Sequence, residues 1–214
     1  MKNKSLFFIL ALIFFIFFLE RAFGFEITGK TVAYGHIYFY IMPKCGTELK
    51  PGWNLVSVCV NKSGFVDEVF NYQASQFRFL LRWNTSKGGF DVYSPLATNN
   101  PFNTTELNES YFILVGNSIS LGWSGANNSD LSIEMLSGWN SPSWPYEFNA
   151  SITKYFNISL HKYLMKWNRD SQSFEIYSAL ASNNPFDSIN AGEGQFIFAK
   201  TQHVLAYNRS QLLN

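Results

Sequence analysis

The sequence predicts a mainly β protein with short helices, built from two tandem, duplicated β-rich modules. Three observations predict it: an internal repeat, period-two alternation of apolar residues inside the repeat, and turn chemistry between the alternating runs. Self-similarity at a fixed spacing marks a structural unit that recurs along a chain. Gly52-Trp53-Asn54 returns as Gly138-Trp139-Asn140 at an offset of 86 residues. Trp83-Asn84, Tyr93-Ser94 and Asn99-Asn100-Pro101-Phe102 return as Trp167-Asn168, Tyr177-Ser178 and Asn183-Asn184-Pro185-Phe186 at an offset of 84. A two-residue difference in one loop accounts for the change of offset.

Each element follows from local pattern. In the first copy Phe77, Phe79, Leu81 and Trp83 occupy alternate positions, with Arg82 on the opposite side. His161, Tyr163, Met165 and Trp167 do so in the second, with Lys166 opposite. Alternation of this kind reads as a half-buried strand. Phe90 and Val92 flank Asp91, and Phe174 and Ile176 flank Glu175, which reads as a second strand. Phe112 with Leu114 and Leu121 with Trp123 predict two more, matched by Phe196 with Phe198 and Leu205 with Tyr207. Ser86-Lys87-Gly88-Gly89 and Arg169-Asp170-Ser171-Gln172 supply hairpin turns. Apolar spacing of three and four after Ser63 (Val66, Val69, Phe70), and after Asn149 and Ser151 (Ile152, Tyr155, Phe156), predicts a short capped helix in each copy.

These limits place the copies at 47–124 and 131–214, joined by a linker at 125–130, with an extra strand in 25–46. The segment from Thr31 to Met42 (TVAYGHIYFYIM) is a strong β-former outside both copies. It either pairs with its own sheet edge or is donated to a neighbouring subunit. A module of about 80 residues is marginal alone; its aromatic residues bury large apolar areas.

The N-terminus has Lys2 and Lys4, an apolar run from Leu6 to Leu19, and Ala22-Phe23-Gly24. These are the parts of a secretory signal peptide, 1–24, with cleavage expected after Gly24. The alternative is an uncleaved anchor, although the run is short for a span. Removing Lys2, Lys4, Arg21 and Glu20 from 16 basic and 15 acidic residues leaves 13 and 14. That balance argues against nucleic acid as a partner. Downstream, N-x-[ST] occurs at Asn61, Asn84, Asn103, Asn108, Asn127, Asn149, Asn157 and Asn208. Chance predicts about three such sequons in this composition, so N-glycosylation is expected. The two cysteines, Cys45 and Cys59, are expected to form a disulfide in an oxidising compartment.

The stretch Leu49-Lys50-Pro51-Gly52-Trp53-Asn54-Leu55-Val56-Ser57 resembles the L-x-x-G-W-N-L-[IV]-S opening of a 70–80-residue module. That module recurs in extracellular proteins of archaea and bacteria. Trp83-Asn84, Phe90 to Tyr93, Tyr111-Phe112-Ile113 and Gly192-Glu193-Gly194-Gln195-Phe196-Ile197 sit where the family has its later strands. The second copy departs at Ser141-Pro142, where the apolar pair is lost, and the first lacks the two glycines before Tyr111. The resemblance implies an exported surface module and no defined activity.

No catalytic, metal-binding or cofactor-binding residues are expected. His36, His161 and His203 are not spaced as ligands, and no nucleophile elbow, phosphate loop or calcium loop occurs. Trp144 and Tyr146 lie in a proline-rich loop outside the repeat pattern; either that loop packs back on its own domain, or the rings are exposed for stacking on sugars or anchoring a partner. The expectation is a non-enzymatic protein of the cell surface or envelope, acting in structure, adhesion or assembly with itself or other envelope proteins. The alternative is a carbohydrate-binding protein contacting glycans through Trp144 and Tyr146.

Overall fold

The computed structural model describes residues 25–31, 37–70 and 77–213. The expected signal peptide, its cleavage point and His36 lie outside the described residues. Among those described, no helix is long and apolar enough to cross a membrane.

The chain is mainly β. β1 (Phe25–Thr31) and β2 (Ile37–Leu49) lead into β3 (Gly52–Ser57), β4 (Gly64–Phe65) and a single helical turn, α1 (Val66–Val69). Next come β5 (Phe77–Asn84), β6 (Gly89–Tyr93), β7 (Thr104–Thr105), β8 (Ser110–Val115) and β9 (Ile119–Ser124). The second half runs β10 (Leu131–Met135), β11 (Gly138–Asn140), β12 (Ala150–Ser151), a 3₁₀ turn (Ile152–Lys154), β13 (His161–Asn168) and β14 (Ser173–Tyr177). It closes with β15 (Ser188–Ile189), β16 (Gln195–Ala199), β17 (His203–Tyr207) and α2 (Arg209–Leu213).

All pairing is antiparallel, and connectivity is the same in both halves. A four-stranded sheet has the order β3-β8-β5-β6 in the first and β11-β16-β13-β14 in the second. Two-residue ladders β4–β7 and β12–β15 sit beside them, and β2–β9 and β10–β17 close each half. β2 crosses the expected boundary at 46/47: its residues Lys44 to Leu49 pair with β9, while Phe25–Thr31 pairs with Ile37–Pro43. The first strand of the first half therefore starts earlier than the repeat alone indicates.

The recurrent Gly-Trp-Asn has a backbone reason. Gly52 and Gly138 stand at φ +102° and +103°, a region open to glycine and strained for other residues. Asn54 Oδ1 accepts from the Lys50 amide at 2.9 Å, and its Nδ2 donates to the carbonyls of Lys50 and Gly52. Asn140 makes the same three bonds to Leu136 and Gly138. Likewise Asn100 and Asn184 bridge the backbone of Ser94 and Ser178, closing the Asn-Pro-Phe loops.

Two expectations need correction. The helices are one turn each, capped at Phe65 and Ser151 with no side-chain cap bond. The strand faces are also reversed. A register shift between Phe77 and Phe79 sends Phe77, Leu80 and Tyr93 into the first core, and puts Phe79, Leu81, Trp83, Phe90 and Val92 on the other side of the sheet. The same shift between His161 and Tyr163 does so in the second half. Arg82 and Asp91, expected to face water, pair on the core side with Asp91 almost fully buried. Both faces of each sheet are thus apolar, and alternation alone could not say which faces its own core.

The two cores are closed differently. Cys45 and Cys59 are buried and joined in a disulfide with Cα atoms 5.9 Å apart. The 14-residue separation makes replacement of both cysteines by alanine cost about 3 kcal/mol, to be read by equilibrium denaturation. A shift under 1 kcal/mol would contradict that role. In the second half Leu131 and Pro145 stand at these positions. There Trp144 and Tyr146, each 0% exposed, replace the smaller Val58 and Val60. Of the two readings of these rings the packed-back loop holds: both are core residues of their own half, and the exposed-ring alternative falls.

Candidate functional site

The halves meet through the outer faces of their sheets. Phe112 and Phe196 face each other with ring centroids 6.2 Å apart. Around them lie Trp53, Leu55, Leu81 and Trp83 of one half and Trp139, Met165 and Trp167 of the other. Trp83 Nε1 donates to the Trp139 carbonyl and Trp167 Nε1 to the Trp53 carbonyl, both at 2.8 Å. The backbone repeats this exchange. Gly194 N–H donates to Leu55 O and Ser110 N–H to Ser141 O; Ser57 N–H donates to Gly192 O and Ser143 N–H to Asn108 O. Each bond has a counterpart with the halves exchanged, so the seam is two-fold in character.

At its centre the symmetry breaks. A Cβ on Gly194 would lie 2.7 Å from Leu55 Cγ and 2.9 Å from Ser110 Cβ. Ser110, the residue of the first half that corresponds to Gly194, fills the space that the glycine leaves. Gly194→Ala is expected to destabilise by about 1–3 kcal/mol through overpacking, with thermal denaturation as the readout. No loss of stability would contradict the close approach.

The seam covers only part of each apolar face. Trp53, Leu81, Phe90, Phe112, Trp167 and Phe174 line an open cleft of about 310 Å³. Phe90 and Phe174 remain 41% and 38% exposed, and Val92 and Ile176 44% and 51%. In the loops beyond, Leu96 and Leu180 are 89% and 85% exposed. The same three positions are therefore left open in each half, two on strands β6 and β14, which among the described residues pair on one side only, and one in the loop that follows each. The sequence marked Phe90, Val92, Phe174 and Ile176 as inward-facing; period-two pattern cannot reveal that both faces of a sheet are apolar.

Six sequon asparagines, at 61, 103, 108, 127, 149 and 157, are exposed, and Asn84 and Asn208 are half-buried. None lies within 85–102 or 158–207, where the open apolar positions fall. Asn149, Asn157 and Asn208 also accept backbone N–H bonds through Oδ1, but Asn84 differs in that its Nδ2, the atom a glycan would take, is itself bonded across the β5–β6 hairpin. Its Oδ1 accepts from the Lys87 amide and its Nδ2 donates to Asp91 Oδ2 at 3.1 Å. Asp91 is held below the usual carboxylate range by bonds from Lys87 and Asn84.

Among the described residues no group of His, Cys, Asp and Glu could hold a metal ion. The buried hydroxyls of Tyr155 and Tyr207, whose pKa values burial drives upward, bond Gln195 and serve the second core. Trp144 and Tyr146 are not at the surface cleft. His161 and His203, 42 residues apart in sequence, meet at 2.9 Å between their Nε2 atoms, a pairing that spacing could not show.

Comparison with known protein families, with curated proteins and with solved structures finds no match.

Proposed function

We propose that the chain is an exported, N-glycosylated component of the cell surface or envelope, a duplicated module that works by self-association. The observation that carries this reading is the pair of apolar strips Phe90, Val92, Leu96 and Phe174, Ile176, Leu180, set in equivalent places in the two halves. Contiguous exposed apolar surface marks an interaction site. The occupant we infer is a second copy. The strips continue a seam in which sheet faces of the same composition already pack on one another, and no sequon lies on them. The buried disulfide and the resemblance to extracellular modules support export.

Glycan recognition through Trp144 and Tyr146 has no support, because both rings are enclosed. The open cleft is lined by six apolar side chains and offers sugars little to hydrogen-bond.

Sedimentation velocity tests the reading. The wild-type chain is expected to associate with rising concentration. Leu96→Asp combined with Leu180→Asp should weaken association at least tenfold and leave the circular dichroism unchanged. A wild-type monomer at every concentration would sink the proposal. If glycopeptides are mapped by mass spectrometry, Asn84 should be the least occupied of the eight sequons. High occupancy there would show that its turn bonds do not restrict attachment.

A further inference from the structure

His161 lies in β13, 1% exposed, and its partner His203 opens β17. The first half has apolar Phe77 and Ile119 at these positions. Each ring nitrogen of the pair has one role. His161 Nδ1 accepts the Asn157 backbone N–H at 3.1 Å, so its proton sits on Nε2. His203 Nδ1 faces the Thr201 carbonyl at 2.9 Å and must donate to it. That leaves His203 Nε2 as the bare acceptor for His161 Nε2–H. A proton added to either ring has only two places to go, His161 Nδ1 or His203 Nε2. Both already face an N–H, so protonation sets two hydrogens against each other.

We propose that this pair is an acid-sensitive latch of the second half: neutral, it ties β13 to β17, and protonation of either ring opens that tie. The surroundings supply no compensation. Lys200, in the β16–β17 turn, reaches the Ile158 carbonyl and adds positive charge beside the pair, and Lys162 neighbours His161 along β13. Glu134 of β10 alternates away from Met135, the residue paired with His203, and is exposed. Strand β16, against which β13 pairs, carries no titratable side chain over Gln195–Ala199. Phe156 packs its ring on His161 from the preceding turn.

Burial, with His203 and Lys200 alongside, lowers the His161 pKa to about 4. A histidine depressed in the folded state stabilises fully above the unfolded pKa of about 6.5. The unfolded chain takes up the proton first, so that stability is lost progressively as pH falls from about 6.5 toward 4.

The test is equilibrium unfolding of the whole chain between pH 7.5 and pH 4, wild type against His161→Phe combined with His203→Ile. These changes install the residues of the first half. The wild-type folding constant is expected to fall on the order of 10²-fold more than that of the double variant. Coincident pH profiles would overturn the proposal. ¹⁵N imidazole spectra of the wild type decide the matter even if the variant fails to fold. At pH 7 they should show His161 protonated at Nε2 and His203 at Nδ1. The opposite tautomers, or a His161 resonance titrating near 6.5, would overturn it as well.

Discussion

Trp144→Ala is expected to destabilise the protein by about 3–5 kcal/mol, the range for removing a large ring from a packed core. The indole lies in an aromatic cluster, 5.4 Å from Tyr146, 5.4 Å from Tyr155 and 5.6 Å from Tyr207 between centroids. Its Nε1 donates to the Phe148 carbonyl at 2.8 Å, and its amide donates to Ser57 Oγ across the seam. Truncation opens a cavity and removes the donor to the Phe148 carbonyl, while the backbone bond to Ser57 stays. The second half has no disulfide to compensate; its substitute is this cluster, capped by the Arg209–Glu147 ion pair with Arg209 over Tyr146 and Phe148. Urea denaturation measures the loss. A cost below 1 kcal/mol would mean that the ring sits in solvent.

Phe112→Ala carries an expected cost of similar size, about 3–5 kcal/mol, for a different reason. Phe112 is the hub of the seam, touching Trp53 and Phe90 of its own half and Trp167, Phe174 and Phe196 of the other. Phe196→Ala should cost about as much. The double variant should depart from additivity, because the two rings share partners. Loss of one ring should also quench the cooperativity that joins the halves, giving two unfolding transitions by calorimetry in place of one. Independent, additive effects in a single sharp transition would contradict a shared seam.

The strands and turns were legible because period-two alternation and Gly, Asn and Ser turns are local. The Gly-Trp-Asn and Asn-Pro-Phe repeats announced their positions, and the structure supplies their reason in backbone bonds from Asn54, Asn140, Asn100 and Asn184. The site was less legible. Phe90 and Val92 alternate as core residues do, and only the register shift after Phe77 reveals that they face the seam. Trp144 and Tyr146 looked unmatched because their counterparts, Val58 and Val60, differ in size, although all four are buried. The absence of glycines in the first half looked like a defect in the motif. It is the complement of Gly194, since Ser110 occupies the space that Gly194 vacates. The His161–His203 contact depends on two strands distant in sequence, which no local pattern reports.

Self-association is tested by light scattering, with glycan mass resolved, on the native protein recovered from outside the cell. The expected result is a particle of several chains, each beginning at Phe25 and carrying glycans, that dissociates on Leu96→Asp with Leu180→Asp. A monomer of constant mass at all concentrations would contradict it.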